Sequence, residues 1–195
     1  MTGAYAGFVN GGHSPRGRRA LLLIDFQRDF LADDGRMPVA RHQVTGVLVA
    51  TRMAIERAQA TGDLIVRIGN EFRPRDRIGN LLRRHAAMAG TPGADWDARA
   101  EVNGADAYYL AKWEGSAFCN PELGDLLARE AVTDVVVCGL YARACVTATA
   151  RAALARGLRV TVLRDAVACK SDGSREAALH RMARHGVELS YALRP

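Results

Sequence analysis

"VVVCGLYARACVTATARAALARG", residues 135–157, decides the fold. Its first part is an unbroken apolar run. Gly139 then breaks the run, and alanines recur at helical spacing until Gly157 supplies a stop. A strand apolar on both faces that leads straight into a helix belongs to a parallel sheet covered on both sides. The two cysteines in this stretch fall in different places. Cys138 lies inside the apolar run, where a thiol is shielded and its pKa raised, so it reads as structural. Cys145 lies past the turn, where the helix begins.

The same alternation extends outward in both directions. Strands are predicted at 19–26, 63–70, 105–112, 134–140, 158–166 and 187–192. Helices are predicted at 43–62, 120–131, 145–157 and 174–186. Asn120 suits an N-cap and Pro121 the first helical position. The pattern predicts a three-layer α/β/α domain with a mainly parallel six-stranded sheet, Rossmann-like, over residues 19–195. Residues 1–18 read as a flexible N-terminal arm. The stretch 71–104, with Pro74, Pro92 and several glycines, lacks clear periodicity and reads as a lid or a partner-binding excursion.

Composition narrows the function. The chain has 195 residues, 49% hydrophobic and 25% charged, which suits one globular domain rather than a disordered chain. No apolar run approaches the roughly 20 residues that span a bilayer, and the N-terminus lacks a signal peptide's apolar core. The net charge is +6, but the arginines are scattered in small groups and no nucleic-acid module fits. The expected partner is therefore a small molecule, not nucleic acid or membrane. Four cysteines, Cys119, Cys138, Cys145 and Cys169, form no C-x-x-C pair and no zinc spacing. They read as reduced thiols in a cytoplasmic protein.

In such sheets, ligands bind at the carboxyl ends of the strands. Three chemically distinct groups arrive there: Asp25 after the first strand, Lys112 after the third and Cys145 after the fourth. Each also has an ordinary use, as a turn cap, a solvated lysine or a small buried hydrophobe. Together they make a mechanism. A thiol at a helix start, near an ammonium, is expected to have a lowered pKa. A carboxylate beside it takes the thiol proton and returns it to a leaving amine.

Three segments, "LLLIDFQRDF", "AKWEGSAFCNPEL" and "VVVCGLYARACVTATARAALARGLRVTVLRDAVA", resemble the isochorismatase-like cysteine hydrolase superfamily, over about residues 19–192. Nicotinamidases, N-carbamoylsarcosine amidases, biuret hydrolases and isochorismatases belong to it. The resemblance implies Asp25 as general base and acid, Lys112 as electrostatic support and Cys145 as nucleophile. It implies a cis peptide at Leu140–Tyr141, with the backbone N–H groups of Tyr141 and Cys145 as an oxyanion hole. It also implies a homodimer or homotetramer.

Two departures refine this expectation. Metal-binding nicotinamidases carry an aspartate and histidines after strand two. Here that place reads "GNEFRPRDRIGN", with no histidine before His85, so no metal and no other cofactor is expected. The turn "GLYARAC" resembles that of true isochorismatases, which have glycine where this chain keeps Cys145. The expected activity is cleavage of a C–N bond in a small amide or carbamoyl compound through a thioester. An isochorismatase-type vinyl-ether hydrolase using Asp25 as acid is the alternative. A catalytically inactive binding or scaffold protein is the second alternative, favoured if the Cys145 thiol pKa stands at or above roughly 8.5. Phe30, Asn70, Phe72, Trp113 and Arg143 are the expected pocket residues beside Tyr141, with Phe26, Arg28 and Phe118 as further candidates.

Overall fold

The computed structural model describes residues 17–102 and 107–192. The proposed N-terminal arm lies almost wholly outside the described residues. Its last residue, Arg18, opens the first strand.

Six strands form one sheet: β1 (Arg18–Ile24), β2 (Leu64–Asn70), β3 (Ala107–Lys112), β4 (Val132–Leu140), β5 (Arg159–Ala168) and β6 (Glu188–Ser190). Their order is β3-β2-β1-β4-β5-β6, and every pairing is parallel. The helices are α1 (Arg28–Leu31), α2 (Arg41–Thr61), α3 (Arg77–Leu82), α4 (Pro121–Arg129), α5 (Thr147–Leu154) and α6 (Asp172–Arg184). The chain runs outward from β1 to β3, then returns to β4 on the other side of β1. The β1–β4 boundary is thus the point where strand order reverses, the usual ligand crevice of such sheets.

The unbroken apolar character of β1 follows from this layering. Ala20, Leu22 and Ile24 face a core shared with α4, α5 and α6. Leu21 and Leu23 face a second core, shared with α2 and the loops around Phe30. Ala150 and Ala153 of α5 are fully buried, so the small side chains let that helix lie close on the sheet. Helix α2 buries Val47, Ala50, Ala54, Ile55 and Ala58, and Gly62 caps it in a left-handed conformation. Asn120 caps α4 by accepting the Glu122 N–H at 3.0 Å.

The four-residue α1 and the six-residue α3, the latter within the stretch read as irregular, are too short to leave a periodic signal. The predicted helix at 145–157 starts earlier, as a π-helical turn over Ala142–Val146 that continues into α5. Gly139 of β4 pairs with Ile24 of β1. Its φ is +142°, and a Cβ there would lie 2.3 Å from the Ile24 carbonyl oxygen. Only glycine fits.

Candidate active site

The strand ends set the positions of the chemical groups. Asp25 directly follows β1 and adopts a left-handed φ of 59°, which Asp tolerates better than most residues. Its N–H donates to the Ile68 carbonyl at 2.8 Å, which fixes the turn against β2. Lys112 ends β3, two strands away, in register with Asn70 of β2. Neighbouring strands lie roughly 4.8 Å apart, so a long side chain is needed to cross β2 and reach β1. Lys112 does this while completely buried, and its Nζ lies 3.0 Å from Asp25 Oδ2. Cys145 comes from the other side of the switch point. After the cis peptide Leu140–Tyr141, the π turn places its Sγ 3.3 Å from the same Nζ.

Asn70 completes the floor. Its Oδ1 accepts from Lys112 Nζ at 2.6 Å, and its Nδ2 lies 4.0 Å from Cys145 Sγ. The Glu114 carbonyl also accepts from Nζ, at 3.2 Å. Four acceptors therefore crowd an ammonium with three hydrogens. Asp25 is the acceptor left short. Its two oxygens are buried without an aligned hydrogen bond, although one sits at ion-pair distance. Burial in that condition disfavours the charged carboxylate.

The electrostatics follow from one cation and two acids in a dry site. Burial raises the Asp25 pKa above the ordinary carboxylate value, against the pull of Lys112. Burial opposes the Lys112 ammonium, but Asp25 and Cys145 outweigh it, and the pKa is raised. The Cys145 thiol is pushed up to about 12 by burial and then by Asp25, with Lys112 pulling the other way. This corrects the expectation of a lowered thiol pKa. The cysteine lies within a buried π turn, and the cation it shares is already balanced by a carboxylate. The Cys145 thiol and the Asp25 carboxylate thus share one balancing cation, Lys112. Cys138, buried in the core facing α2, has its thiol pushed up by desolvation.

A pocket of about 450 Å³ opens above this floor. Phe30, Phe72, Trp113 and Tyr141 form its walls, with Asp25, Asn70 and Cys145 at its base. Phe30 meets the Tyr141 ring edge-on at 5.8 Å, and the Tyr141 hydroxyl donates to the Met37 carbonyl. Tyr141 is thereby fixed as wall rather than gate.

Arg143 is the exception among the expected pocket residues. It is exposed and lines a separate cleft with Ser174 and Arg181. Two positions from Cys145 on a helical backbone is roughly half a turn, which turns it away from the pocket. Arg28 is exposed. Phe26 is core, packed on Trp96, and Phe118 is partly buried under Arg156.

Sequence reasoning missed two supports within "DFQRDF". Gln27 is fully buried. Its Oε1 accepts the Asn70 N–H at 2.8 Å, and its Nε2 donates to the carbonyls of Asn70 and Ala94 at 2.8 and 2.6 Å. Its side chain thus holds both backbone groups of Asn70. Asp29 accepts from the N–H groups of Arg36 and Ala87 at 3.1 and 2.8 Å, tying together the loops around the pocket. Two polar residues at a buried strand end were the available signal. Met37, Asp76, Arg83 and Glu114, also in the lining, carried none.

A parallel sheet gathers a carboxylate, an ammonium and a thiol at its switch point, an α/β fold with three chemically distinct groups in contact. Residues 19–192 match the isochorismatase domain, and the chain belongs to the isochorismatase family. It is 37% identical to a streptothricin hydrolase of Streptomyces noursei over 149 residues, 76% of this chain and 53% of that protein. The chain thus spans about half the length of the first curated relatives it matches. The pyrazinamidase of Pyrococcus horikoshii, solved in complex with zinc, is 27% identical with a TM-score of 0.78, covering 91% of this chain and 99% of that one. The N-carbamoylsarcosine amidase of Thermoplasma acidophilum is 25% identical with a TM-score of 0.78, covering 91% and 98%.

The zinc in one neighbour prompts a test of the donors here. Among the described residues no three His, Cys, Asp or Glu side chains gather as a metal site. Asp25 faces Lys112, Asp76 is held by Arg83 and by the Gly79 N–H, and Glu71 accepts the Tyr109 hydroxyl at 3.1 Å. These residues do not suit a transition metal. Among the described residues no helix is long and apolar enough to cross a membrane.

Proposed function

We propose that this protein is a cysteine amidohydrolase that cleaves the C–N bond of a small amide or carbamoyl compound. One observation carries the reading: Lys112 Nζ stands 3.0 Å from Asp25 and 3.3 Å from Cys145, with all three buried at the base of one pocket. The names of two relatives, a streptothricin hydrolase and an N-carbamoylsarcosine amidase, support the same chemistry.

In this mechanism Asp25 takes the Cys145 proton as the sulfur attacks the carbonyl carbon. The C–S bond forms and the carbonyl electrons move to oxygen, which the N–H groups of Tyr141 and Cys145 receive. Asp25, now a neutral acid, protonates the nitrogen, and the C–N bond breaks to release ammonia or an amine. Water then attacks the thioester, giving its proton to Asp25. The C–S bond breaks, and the proton returns to sulfur. Lys112 keeps the base of the pocket electrically balanced throughout.

The test is ammonia or amine release from a panel of small amides, carbamoyl compounds and isochorismate. Wild type and Cys145→Ala are assayed side by side. Amide turnover that drops to background in Cys145→Ala is expected. Full amide turnover in the variant would refute the reading, and isochorismate cleavage that survives it would mark an ether hydrolase. The thiol pushed up to about 12 favours a second reading, a non-catalytic binding protein on this fold. That reading predicts no turnover of any panel member and no alkylation of Cys145 at neutral pH. The proposal places the enzyme in the cytoplasm, where its four free cysteines stay reduced, as a homodimer or homotetramer.

A further inference from the structure

The mouth of the pocket carries a guanidinium that the proposed reaction does not use. Arg83 lines the cavity floored by Asp25, Asn70 and Cys145. Its Cζ lies 3.9 Å from the centroid of the Phe72 ring, so the planar cation is held against an aromatic wall. Among the described residues, its side-chain hydrogen bonds come from Nη2 alone, to the Asp76 carboxylate and to Asn80 Oδ1 at 3.1 Å. Its Nε–H is shielded from solvent and has no partner.

Asp76 does not fill that need. One of its oxygens accepts the Gly79 N–H at 3.1 Å, which caps α3, and only the other meets Arg83. The contact is one-pointed, and the Asp76 side chain is 53% exposed, so the pair is a weak one. A guanidinium prefers a two-pointed grip on a carboxylate; Nη1 carries donors left unused, and Nη2 becomes the second point where a ligand displaces the Asp76 contact. Around it the lining is mostly apolar, with Met37, Ala86 and Trp113. Glu114 is the other acid at the mouth, and it is exposed.

We propose that Arg83 selects the substrate by binding a carboxylate on its non-reacting end, so that the substrates are small amides bearing a carboxylate. This rests on the amidohydrolase reading. It places the specificity determinant in the segment without clear periodicity, not at Arg143.

The test compares kcat/KM for succinamate and glutaramate with that for butanamide and pentanamide. Wild type is expected to favour the carboxylate-bearing amides. Arg83→Met loses about 10- to 100-fold on them, chiefly in KM, and far less on the neutral amides. Arg83→Lys, which keeps the charge without the fork, recovers part of the loss. Asp76→Asn keeps an N-cap residue while freeing Nη2, and lowers KM for the carboxylate substrates. Equal losses on both substrate classes in Arg83→Met, or a wild-type preference for neutral amides, overturn the proposal and leave the amidohydrolase reading standing. If wild type cleaves none of the four, that reading fails for this panel, and binding decides the role of Arg83. Succinate that slows alkylation of Cys145 by iodoacetamide in wild type but not in Arg83→Met supports the anion site. Equal rates with and without succinate overturn it.

Discussion

Asp25→Asn separates the two roles assigned to the carboxylate. Asp25 and Cys145 touch the same ammonium nitrogen at 3.0 and 3.3 Å, which puts them roughly 6 Å apart at most. At that distance, and an effective dielectric constant of about 20, a carboxylate raises the cost of the thiolate by about 3 kcal/mol. That corresponds to about 2 pKa units. Removing the charge leaves Lys112 with no anion except the thiolate. The Cys145 thiol should therefore fall clearly below its raised value of about 12. At pH 8 the thiolate fraction rises about 100-fold. The variant should react faster with iodoacetamide than wild type across pH 6–9, yet turn over no amide, because nothing remains to protonate the leaving nitrogen. The assay is the pH profile of second-order alkylation, followed by mass spectrometry at Cys145, beside product release. An alkylation rate equal to or below wild type would refute the shared-charge account. Retained turnover would refute Asp25 as the proton carrier.

Two further variants test the scaffold beneath the site. Gly139→Ala drives a Cβ to within 2.3 Å of the Ile24 carbonyl at a φ of +142°. It should cost at least about 3 kcal/mol, read as a fall in Tm, because both backbone conformation and strand spacing are violated. Unchanged melting would show that β4 can shift away from β1. Gln27→Leu removes the side-chain partner of the buried Asn70 N–H and carbonyl and of the part-buried Ala94 carbonyl. A loss of about 1–3 kcal/mol for each group left unsatisfied is expected in chemical denaturation.

Much of the fold was legible because β strands buried on both faces have no freedom to hide. Residues 20–24 and 135–138 must be apolar at every position, since alternate side chains enter different cores. That the three candidate groups share one edge was legible for a related reason. Asp25, Lys112 and Cys145 interrupt or end apolar runs, and a parallel sheet sends all such ends to one edge. The environment of the thiol was not legible. Its expected pKa counted the ammonium and the helix start, but the number of buried charges near Sγ depends on which side chains cross β2, and that is a property of the packed sheet. The π turn was hidden too, because widening a helix by one residue per turn leaves the same small-residue composition.

The mouth of the pocket shows where sequence reading stops. Arg83 and Arg143 are both arginines a short distance from a recognisable segment, and composition gives no ground for choosing between them. What separates them is direction. Arg143 belongs to a continuous helical backbone, and its angular offset from Cys145 sends it to the α6 side. Arg83 follows α3 in a segment where Arg84, His85 and Ala87 all take left-handed φ values of 49–57°. The chain there folds back, and Asp29 holds the turn by accepting the Ala87 N–H. A run of left-handed residues without glycine has no sequence signature, since it persists only where tertiary contacts enforce it. The reacting groups are therefore carried by the sheet and follow its rules. The group proposed to choose the substrate is carried by a loop held by the Asp29 carboxylate, by backbone bonds between Phe72 and Ala87 and Ala89, and by Arg36 on the His85 carbonyl. On the proposed roles, selectivity should thus change more readily than chemistry: substitutions between residues 73 and 88 would alter which substrate enters without disturbing the proposed proton path between Cys145 and Asp25.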